Sequence, residues 1–153
     1  MIAVLQRVTR ARVVVGEREV GAIEQGLLVL LGVARGDGEA DVVWMARRIS
    51  ALRIFSDAAG KMNLDVRQTH GSVLLVSQFT LLADLSSGNR PGWSLAEEPP
   101  AAAQRLQEVA RALSGHGIRV VQGEFGAAMR VSLENDGPVT IVFDSRRQAT
   151  ASG

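Results

Sequence analysis

The chain has no cysteine and no tyrosine, and only two histidines and four prolines among its 153 residues. Without cysteine there is no disulfide framework, no thiolate catalysis and no cysteine-held zinc or iron–sulfur centre, and a reducing cytoplasmic setting is expected. The two histidines, His70 and His116, stand beside glycines in turn-like segments and have no partner at metal-ligand spacing. A Ser-His-Asp triad therefore has little to be built from. No sign of charge dominates: 17 Lys and Arg oppose 16 Asp and Glu, a formal net charge of +1. Proteins that coat long stretches of nucleic acid carry a larger basic excess, so a nucleic-acid partner would be gripped over a small area. Long hydrophobic runs are missing as well. Arg7, Arg10 and Arg12 interrupt the N-terminal apolar stretch, and Gly32 breaks the run 27–34. Neither suits a signal peptide or a membrane span, which needs about 20 apolar residues. The motifs GxxxxGK[ST], GxSxG and HExxH do not occur. The glycine-rich stretch 32–38, GVARGDG, lacks their lysine and spacing and reads as a plain turn.

What is present suits one domain. Hydrophobic residues make up 46% and charged residues 22%, ordinary for a globular chain. A single domain is expected over 1–147, with the small polar tail 148–153 disordered. Residues 2–8 and 13–15 read as strands, and Gly16-Glu17 can close a hairpin before Val20. The run after Gly26, apolar at every position, predicts a central strand covered on both faces. Over 38–52 the period changes. Val42, Met45, Ala46, Ile49 and Leu52 recur three or four apart, with Asp37 as the expected N-cap. A second helix follows Pro99-Pro100, with the stripe Ala102, Leu106, Val109, Ala110 and Leu113, and ends at Gly115 or Gly117. Glu97-Glu98 reads as negative charge at that helix's positive N-terminus. Strands follow at about 118–122, 129–134 and 139–143. Two helices offer too few crossovers for a doubly wound parallel sheet. The expectation is an α+β fold with a mostly antiparallel or mixed, curved sheet.

Two segments exceed what structure alone demands. Ser77-Gln78-Phe79-Thr80 puts hydroxyl, amide, aromatic and hydroxyl in a row after the apolar strand 73–76. As a strand it would place Ser77 and Phe79 on one face and Gln78 and Thr80 on the other; polar residues at the wet end of a strand explain it equally well. Asn135-Asp136-Gly137-Pro138-Val139-Thr140 spells a tight turn, in the plain reading a hairpin connection. Its Gly-Pro bond is of the kind that can be cis at modest cost.

Together the two segments resemble the paired SQFT and GPVT signature of the D-aminoacyl-tRNA deacylase family. The resemblance runs along nearly the whole chain. Gln6-Arg7-Val8, GLLVLLGV from Gly26, LRIF from Leu52, GKMN from Gly60, GNRP from Gly88 and FGAAM from Phe125 stand in the same order. Departures are the absence of an aromatic near Leu106 and Trp93 where phenylalanine is more usual. The resemblance implies a mostly antiparallel, barrel-like sheet with two flanking helices and a two-fold homodimer with the site at its interface. It implies that Ser77, Gln78, Phe79 and Thr80 line the catalytic pocket. Gly137 and Pro138 would enter it from the other subunit, joined by a cis bond. Phe125 and Met129 would line the adenosine side, and Arg7 would hold the Gly-Pro loop. The implied partner is the 3′ acceptor end of aminoacyl-tRNA, with no DNA, membrane, metal or cofactor.

Hydrolysis of such an ester passes through an oxyanion that backbone N–H groups can stabilise, and the amides of Phe79 and Thr80 are the candidates. Thr80 could act as a nucleophile, but no base adjoins it in sequence. The alternative is that the protein supplies position and oxyanion donors while the neighbouring ribose hydroxyl of the tRNA helps activate water. A non-catalytic RNA- or protein-binding module, and a general small-ester hydrolase, are the rival classes.

Overall fold

The computed structural model describes the backbone of residues 1–150 and the side chains of 1–147. The tail expected from 148 onward falls outside that range, except that the backbone of 148–150 continues the short 3-10 turn Ser145–Thr150. The chain runs β1 (Ile2–Val15), β2 (Arg18–Ile23), β3 (Gly26–Gly32), α1 (Glu39–Ser50), β4 (Phe55–Ser56), β5 (Met62–Leu64) and β6 (Ser72–Ser77). After a 3-10 turn at Phe79–Leu82 come α2 (Pro99–Gly115), β7 (Arg119–Gln122) and β8 (Met129–Asp144).

The main sheet has the order β2-β1-β3-β6-β7, with β8 on the other side of β1. β1 pairs antiparallel with β2, β3 and β8. β3–β6 and β6–β7, however, are parallel. The sheet is thus mixed: mostly antiparallel, as expected, but not purely so. The reason lies in the connections: α1 falls between β3 and β6, and α2 between β6 and β7. Each helix makes the one crossover that a parallel pair needs. The far edges of the sheet approach each other. A Cβ added to Gly21 in β2 would lie 2.7 Å from Val121 Cγ1 and 2.9 Å from the Gln122 carbonyl in β7. That proximity makes the sheet barrel-like, and only glycine fits there without displacing β7.

Two apolar layers follow from the alternation along β3. Leu27, Val29 and Leu31 face Met45, Ile49, Leu106, Val109 and Leu113 of the helices. Leu28 faces Val8, Val13, Ile23, Leu74 and Val76 inside the curved sheet. Burying each such side chain is worth about 1.5–3 kcal/mol. β1 is one strand of 14 residues, not two. Its hairpin with β2 pairs Val15 with Arg18, and Gly16 takes φ +60° at the first turn position, as a two-residue type II′ turn requires.

The N-cap of α1 is Gly38, not Asp37, and the Asp41 carboxylate accepts its N–H at 2.9 Å. Asp37 is recruited elsewhere. Its carboxylate accepts the Ala34 N–H at 2.6 Å and pairs with the buried Met1 ammonium at 2.8 Å. A buried ammonium without its partner costs more than a missing cap, so the ion pair takes the carboxylate.

Candidate active site

β6 ends at Ser77, where the ladder to β3 reaches its last pair, Leu31–Ser77. The Gln78 N–H still reaches the Leu31 carbonyl at 2.8 Å. Gln78 then turns away (φ −145°, ψ 74°), and Phe79–Leu82 coils into a 3-10 turn. The strand expected through Thr80 therefore does not form, and the alternation of faces proposed for Ser77 to Thr80 does not apply. Gly32 is the physical reason. A Cβ there would meet Leu82 Cδ2 at 2.4 Å, the Gln78 carbonyl at 2.9 Å and Leu81 Cβ at 3.2 Å, so the turn seats on bare backbone. Among the described residues no backbone or side-chain acceptor takes the N–H groups of Phe79 and Thr80. They are the free first donors of a helical turn.

Beside this turn lies a cavity of about 540 Å³. Ser77, Gln78 and Phe79 line one side. Phe125, on the connection from β7 to β8, and Met129, the first residue of β8, line another. That connection is tied down where the Gly123 N–H donates to the Leu75 carbonyl at 3.0 Å. Gly123 also offers no Cβ to the Met129 sulfur, which would lie 2.8 Å away from one. The walls are otherwise mostly apolar, with Leu31, Val33, Val76, Ala102 and Leu106.

Sequence reasoning missed three contributors. Trp93 packs edge-on against Phe79, with centroids 5.0 Å apart and planes at 72°. Glu97 and Glu98 line the wall as well as preceding α2. Glu98 is engaged by Arg35 at 2.7 Å, and Glu97 accepts the Glu98 N–H at 2.8 Å. The signal that could have found them is the exposed Trp93 so soon after the GNRP segment. The Glu pair was legible only as helix-end charge.

Thr80, Arg7, Gly137 and Pro138 do not line this cavity. The Thr80 hydroxyl is exposed and accepts a hydrogen bond from the Gln78 amide. Among the described residues no histidine, lysine or carboxylate touches it. Gly137 and Pro138 lie on the far strand, but not in a hairpin. β8 runs unbroken against β1, and its register jumps between the pairs Val8–Asn135 and Gln6–Thr140. Residues 136–139 therefore bulge out opposite Arg7 alone. The Gly137–Pro138 peptide is cis, and both residues are exposed.

Polar contacts fix the bulge. The Asn135 side chain accepts the Val139 N–H at 2.7 Å and donates to the Val139 carbonyl and Gln6 Oε1, both at 3.1 Å. Arg7 donates through Nε to the Asp136 carbonyl at 2.8 Å and through Nη1 to the Ile54 carbonyl at 2.5 Å. Its side chain is only 11% exposed; the bond to Ile54 is part-buried and that to Asp136 lies at the surface.

Elsewhere, among the described residues, no three His, Asp or Glu side chains gather as a metal site. No helix of the described residues is long and apolar enough to cross a membrane.

An apolar cavity lined by Phe79, on a turn whose first two amides are free, with no acid–base pair among the described residues, suits hydrolysis of an already activated acyl group. Comparison with known proteins gives the class: this chain is a hydrolase acting on carboxylic esters. A model of D-Tyr-tRNA(Tyr) deacylase matches residues 4–144, and the chain belongs to that family. A D-aminoacyl-tRNA deacylase of Anaeromyxobacter dehalogenans (strain 2CP-C) is 56% identical over 147 residues, 96% of this chain and 99% of the relative. That of Magnetococcus marinus (strain ATCC BAA-1437 / JCM 17883 / MC-1) is 55% identical over 145 residues, 94% of this chain and 96% of the relative. Among solved structures, one titled c-Myc DNA Unwinding Element Binding Protein is 39% identical, with a TM-score of 0.89 over 94% of this chain and 98% of the other. A probable eukaryotic D-amino acid tRNA deacylase shares the fold, with a TM-score of 0.79 at 15% identity, over 93% of this chain and 97% of the other.

Proposed function

We propose that this chain removes D-amino acids from tRNA in the cytoplasm by hydrolysing the ester to the terminal ribose, and that it works as a two-fold homodimer. The observation that carries the reading is the pair of unpartnered N–H groups at Phe79 and Thr80, on the turn whose Phe79 lines an apolar cavity. They would hold the oxyanion, where one donor is typically worth about 2.7–4 kcal/mol. Ser77 and Gln78 position the ester. Phe125 and Met129 take the adenosine side. Thr80 is not the nucleophile in this reading, because nothing beside it takes its proton. Glu97 and Glu98 are held by other partners. The tRNA's own ribose hydroxyl therefore helps activate water, and no metal or cofactor takes part.

Gly137 and Pro138 stand on an exposed bulge away from their own chain's cavity. In the dimer this bulge enters the partner's cavity, steadied by Arg7. Its backbone fills the space an L side chain would need, so chirality is enforced by a clash rather than by a fitted pocket. Glycine, with no side chain, escapes such a filter. The test is deacylation of D-Tyr-, L-Tyr- and Gly-tRNA side by side. D-Tyr and Gly are released and L-Tyr is kept. Gly-tRNA as resistant as L-Tyr-tRNA would show that the D side chain is recognised positively. No release from any of the three would leave a binding module. The required ribose hydroxyl makes RNA, not DNA, the partner.

A further inference from the structure

Between the 3-10 turn and α2, residues 84–95 form an arm. Asp84 and Gly92 clasp its base by exchanging N–H···O bonds of 2.9 and 2.8 Å. Residues 85–95 are all exposed. Nine large hydrophobic side chains are exposed among the described residues; Leu85, Trp93 and Leu95 are on the arm, and Trp93 joins Phe79 and Phe125 in lining the cavity. Apolar exposure so concentrated marks a contact surface. Trp93 belongs to both arm and cavity wall, so the two surfaces are continuous.

The charges add a second observation. Arg35 at the cavity wall is paired with Glu98 at 2.7 Å, and Arg18 with Glu124, next to Phe125, at 2.6 Å. On α2, Arg105 is paired with Glu108 at 2.6 Å. Arg90 on the arm has no ion pair or hydrogen bond among the described residues. The acids nearest in the chain are occupied: Asp84 accepts the Ser86 N–H at 2.9 Å, and Glu97 that of Glu98. A free guanidinium three residues before an exposed aromatic ring, on one exposed arm, fits single-stranded nucleic acid, through a phosphate contact and base stacking.

We propose that the arm 84–95 docks the unpaired nucleotides that precede the terminal ribose, with Arg90 on a phosphate and the Trp93 ring on a base. This rests on the deacylase reading for the identity of the RNA, though not for the contact itself. A fluorescent RNA oligonucleotide ending in CCA tests it without hydrolysis. Arg90→Ala is expected to weaken binding about three- to tenfold at low salt and to lower the log–log salt slope by about one. Arg90→Lys should restore most of both. With D-aminoacyl-tRNA, Arg90→Ala should raise KM and leave kcat unchanged, whereas a D-aminoacyl ester of adenosine without upstream phosphates should show no change in either constant. Unchanged RNA binding and salt slope would overturn the proposal and leave the arm to a protein partner. An equal loss on both esters would overturn it too, by showing that Arg90 shapes the cavity. If the oligonucleotide binds as expected and neither ester is cleaved, the docking arm stands and the deacylase reading fails.

Discussion

The two signature segments both break a strand, but they are held by opposite means. Ser77 to Thr80 ends a buried parallel strand, and its turn is seated against Gly32 by apolar contact. Residues 136–139 swell out of a long strand on the other side of β1, held by the side chains of Arg7 and Asn135. A turn seated on the core is positioned by volume and tolerates no added atom. A bulge held by hydrogen bonds is positioned by a few polar groups and fails when one is deleted. The proposed oxyanion donors thus sit on the part seated by packing, and the proposed chiral filter sits on the part that polar chemistry tunes.

Gly32→Ala should break the first segment most severely. The new methyl has to displace Leu82 or the Gln78 carbonyl, costing about 2–3 kcal/mol of stability. Because the displaced turn carries the proposed oxyanion donors, deacylation should fall by about 10²-fold, the scale of a 1 Å misplacement. Chemical denaturation and single-turnover rates check the two parts. A variant with full activity would show that the turn is not seated as described.

Deletion should harm the second segment more than insertion does. Asn135→Ala strands the Val139 N–H and carbonyl, and Arg7→Ala strands the part-buried Ile54 carbonyl while leaving that of Asp136 to water; each should cost about 1–2 kcal/mol. Both act on one bulge, so the double variant should lose less than the sum, by about 0.5 kcal/mol or more. Discrimination between D- and L-Tyr-tRNA should drop in both. Strict additivity with unchanged chirality would separate the bulge from the filter.

Thr80→Ala removes a hydroxyl but keeps the N–H. Activity within about tenfold of the parent is expected, whereas removal of a true nucleophile costs about 10⁴-fold or more. The contrast tells backbone from side-chain chemistry inside the first segment.

The smallest effect concerns pH. Beside the bulge, the Thr9 hydroxyl at 2.6 Å, and then the nearby Arg10 charge, hold the Glu134 carboxyl below its usual range. A lowered carboxyl contributes stability above its ordinary pKa and loses it as pH falls through the lowered value. Thermal melts of the parent and Glu134→Gln should therefore differ slightly at pH 6 and converge in acid. Added salt should shrink the difference too, since the group is exposed. A difference that grew in acid would reverse the assignment.

Both helices were legible from spacing, because a buried stripe every three or four residues has few other readings. The all-apolar run in β3 likewise announced burial on two faces. The residue types of the site stood out through the resemblance of SQFT and NDGPVT to a family signature, because alone a plain strand end and a plain turn explain them as well. Other features depended on partners distant in sequence. The parallel pairs, and with them the mixed sheet, follow from where the helices cross. The loss of Asp37 as a cap follows from a buried ammonium 36 residues away in the chain. That β8 is one strand with a bulge, rather than a hairpin, was decided by β1, which offers a continuous ladder on both sides of Arg7. Local sequence determined which residues could turn, cap or stack. Tertiary structure decided which did, because a hydrogen bond or an apolar contact is worth making only where its partner arrives.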